Sequence, residues 1–505
     1  MPVHANTSLI HRLLERIERL GNRLPHPTLL FVYLCLFVLG LSALSAVMGV
    51  SALHPQSGDD IDAVNLLSAS GLVLILSKAV TNFTHFAPVG TVLVAILGIG
   101  VAEHSGLLNS ALRATVLKAP AQLLSFIVVI AGVLSSLAAD TGYVVLIPLA
   151  AIVFASAGRN PVVGIAAAFA GVSGGFSANL LIGPFDALMA GITTEAAALI
   201  RPEYEVTAAG NYYFTAFSTL LIGVAGTWVT ERIVAPRFAP VEVTNSNDGV
   251  LSEAERKGLK AAGYFSVLFI GLLLWGLLPE AGVLRGAEGS VLKSPFMKGI
   301  VVLVSLYAAL AGVVFGKVSG RFKQQSDVIV GMETSMATMA GYLVLMFFAA
   351  QFVSYFAWSN LGIIAAINGA DLLKSLQLNS AFLLVSFVLL TAMLNLLIGS
   401  ASAKWALIAP IFVPMFLLLG ISPEAAQVAF RIGDSTTNII TPLMPYFGVV
   451  VAFVQKYDKD AGIGTIISMM LPYSAAFLFL WSVLLVVWIL LGLPLGPGAP
   501  VLLTN

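Results

Sequence analysis

Cysteine and charge are both nearly missing from this chain. Cys35 is the only cysteine among 505 residues, and it lies inside an apolar run. That excludes a disulfide framework and a thiolate metal centre. Charged residues are 10% of the sequence, against about 25% in a soluble globular domain. Lys+Arg and Asp+Glu number 25 each, so the charge balance identifies no partner, and no nucleic-acid partner is expected. Histidine is scarce too, and all six lie at or before His104. Without HExxH, a Cys/His cluster or G-x-x-x-x-G-K-[ST], the sequence offers neither a metal-enzyme signature nor the usual nucleotide cradle. No cofactor is expected, and a bound Na⁺ is the one metal ion the side chains suit.

Apolar sequence fills the space instead. Hydrophobic residues are 58% of the chain, and several stretches run about 20 residues with almost no charge, long enough to cross a bilayer core. The alternation over about 10 residues that marks an outer-membrane barrel strand is not the pattern here. The chain therefore reads as an all-α polytopic membrane protein whose surroundings are the lipid bilayer. Residues 7–24 are basic and amphipathic, with no small-residue cleavage motif after them, so they read as a cytoplasmic surface helix and not as a removed signal.

Apolar runs and loop Lys/Arg give spans at 28–50, 86–105, 162–199, 212–230, 261–279, 298–316, 338–357, 425–455 and 473–492. Residues 121–158, with Asp140 near the middle and basic residues on both flanks, read as a re-entrant hairpin. Non-helical backbone at that depth needs protein or water to cover it. Residues 380–419 read as a second hairpin with GSASAKW at its tip, and 361–378 as a short interfacial helix. The result is about nine transmembrane helices plus two re-entrant hairpins, in the cell inner membrane, with the N-terminus cytoplasmic and the C-terminus periplasmic.

The chain also repeats itself. A shift of 262 residues lays Tyr143 on Trp405, Pro148 on Pro410, Gly158 on Gly420, Pro161 on Pro423, Gly171 on Gly433 and Ser173 on Ser435. One gap later, Pro184-Phe185 falls on Pro445-Tyr446. Each copy is a hairpin, a Gly/Pro turn and a span broken by Gly, Ser, Thr and Asn. The span count enters the first copy from inside and the second from outside, so the copies form an inverted repeat. Inverted repeats with discontinuous helices point to a transporter's midplane binding site.

Ionisable residues inside a membrane cost about 2.5–3.5 kcal/mol each on insertion scales, and here they cluster in the two copies: Asp140, Asp186, Lys404, Arg431 and Asp434. Arg431 and Asp434 share a helical face just before the break. They suit either a structural bridge to each other or a guanidinium fork for a substrate carboxylate, with Asp434 holding the fork or carrying a proton. Asp186 suits a helix cap or a titrating group. Trp405 suits stacking on an aromatic substrate or plain packing, and Lys404 suits snorkelling to the surface. Ser400 and Ser402 at the hairpin tip offer hydroxyl oxygens to a cation. Asn179, Asn395 and Asn438, with Thr437 beside the last, offer amide or hydroxyl oxygens for Na⁺ or for substrate hydrogen bonds. The GVSGG at 171–175 matches a nucleophile elbow around Ser173, but it lies in a span and not on a strand-to-helix turn, and no histidine lies beyond His104 to act as its base.

Four stretches bring a known family into view. ERIERLGNRLPHPTLLF, SGGFSANLLIGPFD, GSASAKWALIAPIFVPMF and RIGDSTTNIITPLMPY resemble the p-aminobenzoyl-glutamate transporter (AbgT) family, over nearly the whole chain. The resemblance implies a homodimer with an elevator-like transport domain. It implies p-aminobenzoyl-glutamate, p-aminobenzoate and related aromatic carboxylates as substrates, and proton-driven export contributing to sulfonamide resistance. It also implies a cavity made by Asp186, Asn395, Ser402, Trp405, Pro423, Arg431, Asp434 and Pro442, with Asp186 and Asp434 carrying protons. On this reading residues 1–120 and 201–379 are scaffold and dimerisation elements. Residues 121–200 and 380–460 are the two halves of a transport core, and 461–505 is the last span. The competing readings are a Na⁺-coupled dicarboxylate importer, an intramembrane serine hydrolase and a channel.

Overall fold

The computed structural model describes residues 27–53, 60–138, 142–241, 250–279, 281–286, 290–291 and 294–503. The surface helix expected over 7–24 and the hairpin residue Asp140 lie outside the described residues. Among those residues, eight helices are long and apolar enough to cross a membrane, or nine if one bent pair is counted as a span. The only paired strands there are Ser51–Leu53 and Asp60–Asp62. Hydrophobic side chains can leave water on every side of such a helix because lipid replaces the core that a soluble protein must build.

The long helices follow the apolar runs. Pro27–Val47, Tyr212–Val229, Ile300–Val318 and Ala340–Trp358 sit within a few residues of the expected spans. Glu253–Leu277 and Ile463–Leu490 begin about two to three turns earlier than expected. Leu361–Ser375 is the expected short helix. Three helices were not expected. Ala69–Thr84 runs into Ala87–His104, where Lys78, Thr81 and Asn82 interrupt the apolar pattern. Leu107–Leu117, where Arg113 interrupts the apolar pattern, is helical and bends 112° into Ala121–Ser135. Ser326–Ala337 is too polar to register as a span.

Both hairpins form. The first runs Leu124–Ser135 out and Gly142–Ser156 back, and the second runs Ser380–Asn395 and Ala401–Leu418. Each is followed by a broken span: Pro161–Phe169 and Pro184–Ala197 in one copy, Pro423–Thr437 and Phe447–Gln455 in the other. Between the halves the backbone leaves the helix over 175–183 and 441–446. The repeat extends to backbone detail. Gly158 and Gly420 both close their hairpins with left-handed backbone, φ 71° and 75°, which glycine adopts at no steric cost. Pro161 and Pro423 then sit at the first helical positions, behind the caps Asn160 and Ser422, where a missing N–H is no loss. A Cβ on Gly171 would lie 2.3 Å from the Val129 carbonyl oxygen, and one on Gly433 would lie 2.3 Å from that of Val388.

The copies run antiparallel. The segment after Pro184–Ala197 returns to the start of Pro423–Thr437, where the Tyr204 hydroxyl donates to Glu424 at 2.8 Å. Beside the breaks, Phe447 at the start of its half-helix packs edge-on against Phe169 at the end of Pro161–Phe169, with centroids 6.2 Å apart. The two breaks meet in the middle, where the Ser177 N–H donates to Ser435 Oγ at 3.1 Å. Outside this unit, Ala87–His104 packs on Ile300–Val318, held by Ser305 Oγ donating to the Val94 carbonyl at 2.6 Å. Pro27–Val47 packs on Ala340–Trp358.

Candidate substrate-binding site

Two broken helices that meet head-on expose backbone and leave space. A chamber of about 610 Å³ lies there, within the roughly 300–1,000 Å³ of ordinary ligand sites. Both hairpin tips reach it, through Ser136 and Leu137 from the first and Gly399 and Ala401 from the second. So do both breaks, through Phe176 and Phe185, and through Asn438 and Tyr446. Its opposite wall is Ala87–His104 with Thr334–Tyr342. A smaller recess behind Phe176 and Phe185 reaches Asn179, Asp186 and Arg431.

Arg431 and Asp186 form an ion pair across the two copies. Asp186 Oδ2 also accepts the Gly183 N–H at 2.8 Å, capping Pro184–Ala197, so the cap role and the charge role coexist. The remaining Arg431 Nε–H is buried and has no hydrogen-bond partner among the described residues. Its guanidinium lies 5.3 Å from the Phe185 ring centroid, in cation–π range. Asp434 does not pair with Arg431, although both face the same side of one helix. Its partner is Lys404, at 2.5 Å, and the two side chains are 0% and 1% exposed. Lys404 therefore does not snorkel: the hairpin tip places it at the centre of the protein, where the nearest carboxylate is worth more than a path to water.

Asn395 ties this pair to the break. Its amide nitrogen donates to the Asp434 carbonyl, to Thr437 Oγ1 at 2.9 Å and to Asn438 Oδ1 at 2.9 Å. Its oxygen accepts from Lys404, which fixes the amide orientation. These oxygens face N–H donors, and an ammonium group occupies the place where a cation would balance Asp434.

Trp405 is 0% exposed. Its indole N–H donates to Thr193 Oγ1 at 3.0 Å, and its ring packs on Phe430 at 4.7 Å. It joins the copies but does not line the chamber, so the packing reading describes its place here. Ser402 and Ser400 share a hydrogen bond at 3.2 Å at the second tip, and Asn179 donates to Ser136 Oγ at the first. Pro423 starts its helix, and Pro442 lies in the break. Neither proline lines the chamber. The structure thus gathers Asp186, Arg431 and Asn179 at the recess, with Asn395, Lys404, Asp434, Thr437 and Asn438 in one network one helical turn away. Ser173 is fully buried inside Ala170–Gly174, with its hydroxyl unpartnered among the described residues.

Residue reading alone did not assign roles to the chamber rings Phe176, Phe185, Tyr143 and Tyr446 or to the buried Glu424. The paired Pro-aromatic dipeptides of the repeat were the available signal for two of the rings.

Residues 12–503 match the AbgT putative transporter family. The chain belongs to that family. It is 40% identical over 485 residues to the p-aminobenzoyl-glutamate transport protein of Escherichia coli (strain K12), covering 95% of each. It superposes on the Alcanivorax borkumensis YdaH transporter with TM-score 0.90 at 52% identity, covering 94% of this chain and 100% of that one. Against Neisseria gonorrhoeae MtrF, described among antimetabolite efflux pumps, the values are 0.92 and 48%, covering 97% and 100%. This AbgT-family chain is a multi-pass membrane transporter, not an enzyme, and the hydrolase reading of Ser173 ends there.

Proposed function

We propose that the chain transports p-aminobenzoyl-glutamate, p-aminobenzoate and similar aromatic carboxylates, exporting them in exchange for protons that enter down their gradient and so contributing to sulfonamide resistance, as a homodimer in the cell inner membrane. The observation that carries the substrate class is Arg431: a guanidinium from one copy, held by a carboxylate from the other, with an N–H to spare, one recess away from an aromatic-walled chamber. A planar fork is matched to a carboxylate. The E. coli relative supports the substrate, and the efflux-pump description of MtrF supports the direction.

Charge balance favours a second reading of the coupling. A substrate carboxylate at Arg431 displaces Asp186 and leaves one anion too many in a site where uncompensated charge is costly. A proton on Asp186 restores neutrality, so anion and proton bind together, and an inward proton gradient then drives uptake. A Na⁺-coupled importer remains as the third alternative.

The test is flux of labelled p-aminobenzoate in proteoliposomes with pH and Na⁺ gradients imposed separately. Export by exchange predicts that an acid exterior drives substrate out, and co-transport predicts that it drives substrate in. Flux that follows Na⁺ at constant pH removes both proton readings. Asp186→Asn is expected to abolish the pH-driven component and to leave exchange of labelled for unlabelled substrate measurable.

A further inference from the structure

The aromatic half of the substrate needs a surface to lie on, and Trp405 does not offer one: it is fully buried, its N–H is taken by Thr193 and its face by Phe430. Five other rings line the chamber: Tyr342 stands on the opposite wall, its hydroxyl donating to the Pro88 carbonyl at 2.8 Å, and the other four pair off on the repeat side. Phe176 and Phe185 meet edge to face at 4.8 Å, and Tyr143 and Tyr446 stack at 4.4 Å with 10° between their planes. We propose that Tyr143, Phe176, Phe185 and Tyr446 form the aryl subsite, while Trp405 positions the second hairpin without touching the ligand. The proposal rests on the aromatic-carboxylate reading above and deepens it.

Three features support it. Phe185 is bonded in sequence to Asp186, and its ring lies 5.3 Å from the Arg431 guanidinium. The aryl surface and the carboxylate fork are therefore about one ring apart, which is the spacing of a benzoate, whose carboxylate is attached directly to the ring. Phe185 and Tyr446 are the repeat equivalents that follow Pro184 and Pro445, at the starts of the two returning half-helices, so each ring is held by a rigid helix start. Finally, parallel stacking and edge contacts are the geometries aromatic rings prefer, and a third ring extends either pair without moving it.

The test uses full-length protein in nanodiscs and 4-azidobenzoate, which carries a photoreactive azide in place of the amino group of p-aminobenzoate. After irradiation, adducts are mapped by peptide mass spectrometry with and without excess p-aminobenzoate. Adducts at Tyr143, between Phe176 and Phe185 and at Tyr446, suppressed by p-aminobenzoate, support the subsite. Phe185→Leu and Tyr446→Leu are expected to weaken p-aminobenzoate binding by about 3- to 10-fold, whereas Tyr446→Phe stays within about twofold. Suppressible adducts confined to Trp405 and Phe430, or leucine variants that bind like the wild type, overturn the subsite and leave the substrate class standing. Absence of p-aminobenzoate binding and of any suppressible adduct overturns the substrate class, and the subsite with it.

Discussion

Lys404 and Asp434 sit where a membrane protein tolerates charge only in balanced form. Removing one member of such a pair costs more than removing both, because the survivor stays buried and uncompensated. Lys404→Met is expected to destabilise the protein by about 3–5 kcal/mol, and Lys404→Met/Asp434→Leu to recover most of that loss. Thermal unfolding of the purified variants checks this, and equal losses in the two would show that the pair is not coupled. At this scale the sequence identified which residues matter better than it identified how they combine. Asp186, Arg431 and Asp434 stand out because charge in an apolar span is rare. Arg431 and Asp186 are paired by the antiparallel meeting of two segments 245 residues apart, and Asp434 meets Lys404 where the second hairpin folds onto its own broken span; no local spacing encodes either contact. Helical spacing put Arg431 beside Asp434, but each found an opposite charge on another element.

The elements were legible wherever apolar length or the repeat marked them. Glycine and proline at matched positions gave both hairpin turns and both breaks, since each is a backbone requirement and not a side-chain preference. Leu107–Leu117 and Ser326–Ala337 were missed because their amphipathic composition resembles a loop when length and hydropathy are the guides. The repeat makes a prediction of its own. Gly171 and Gly433 each carry a broken helix against the carbonyl of the preceding hairpin helix at a distance that excludes a Cβ. Gly171→Ala and Gly433→Ala are therefore expected to cost similar amounts, about 1–3 kcal/mol each, read as matched falls in midpoint temperature. A neutral result at one position and a large loss at the other would contradict their equivalence.

At the scale of the whole molecule, the chamber lies between the repeat unit and the wall of Ala87–His104 and Thr334–Tyr342. Along the same two helices, beyond the chamber residues Val92 and Leu188, the two bodies touch through Glu195, which accepts the Ala87 N–H at 3.2 Å, and through Gly191 packed against Pro88. If the repeat unit moves as a transport core against a scaffold, that contact must open in each cycle. An Ala87→Cys/Glu195→Cys protein joined by a short reducible bis-methanethiosulfonate reagent is expected to lose exchange, and to regain it when the link is reduced. Undiminished exchange in the linked protein would rule out that motion.

The account depends most on Arg431 receiving the substrate carboxylate where the two copies meet. The direct measurement is counterflow of labelled p-aminobenzoate into proteoliposomes loaded with unlabelled p-aminobenzoate, comparing wild type with Arg431→Lys. Arg431→Lys keeps the charge opposite Asp186 and removes the planar fork. The account predicts saturable counterflow in the wild type and a loss of about tenfold or more in the variant, a step of about 1.4 kcal/mol per tenfold. Counterflow in Arg431→Lys at the wild-type rate and affinity would contradict it.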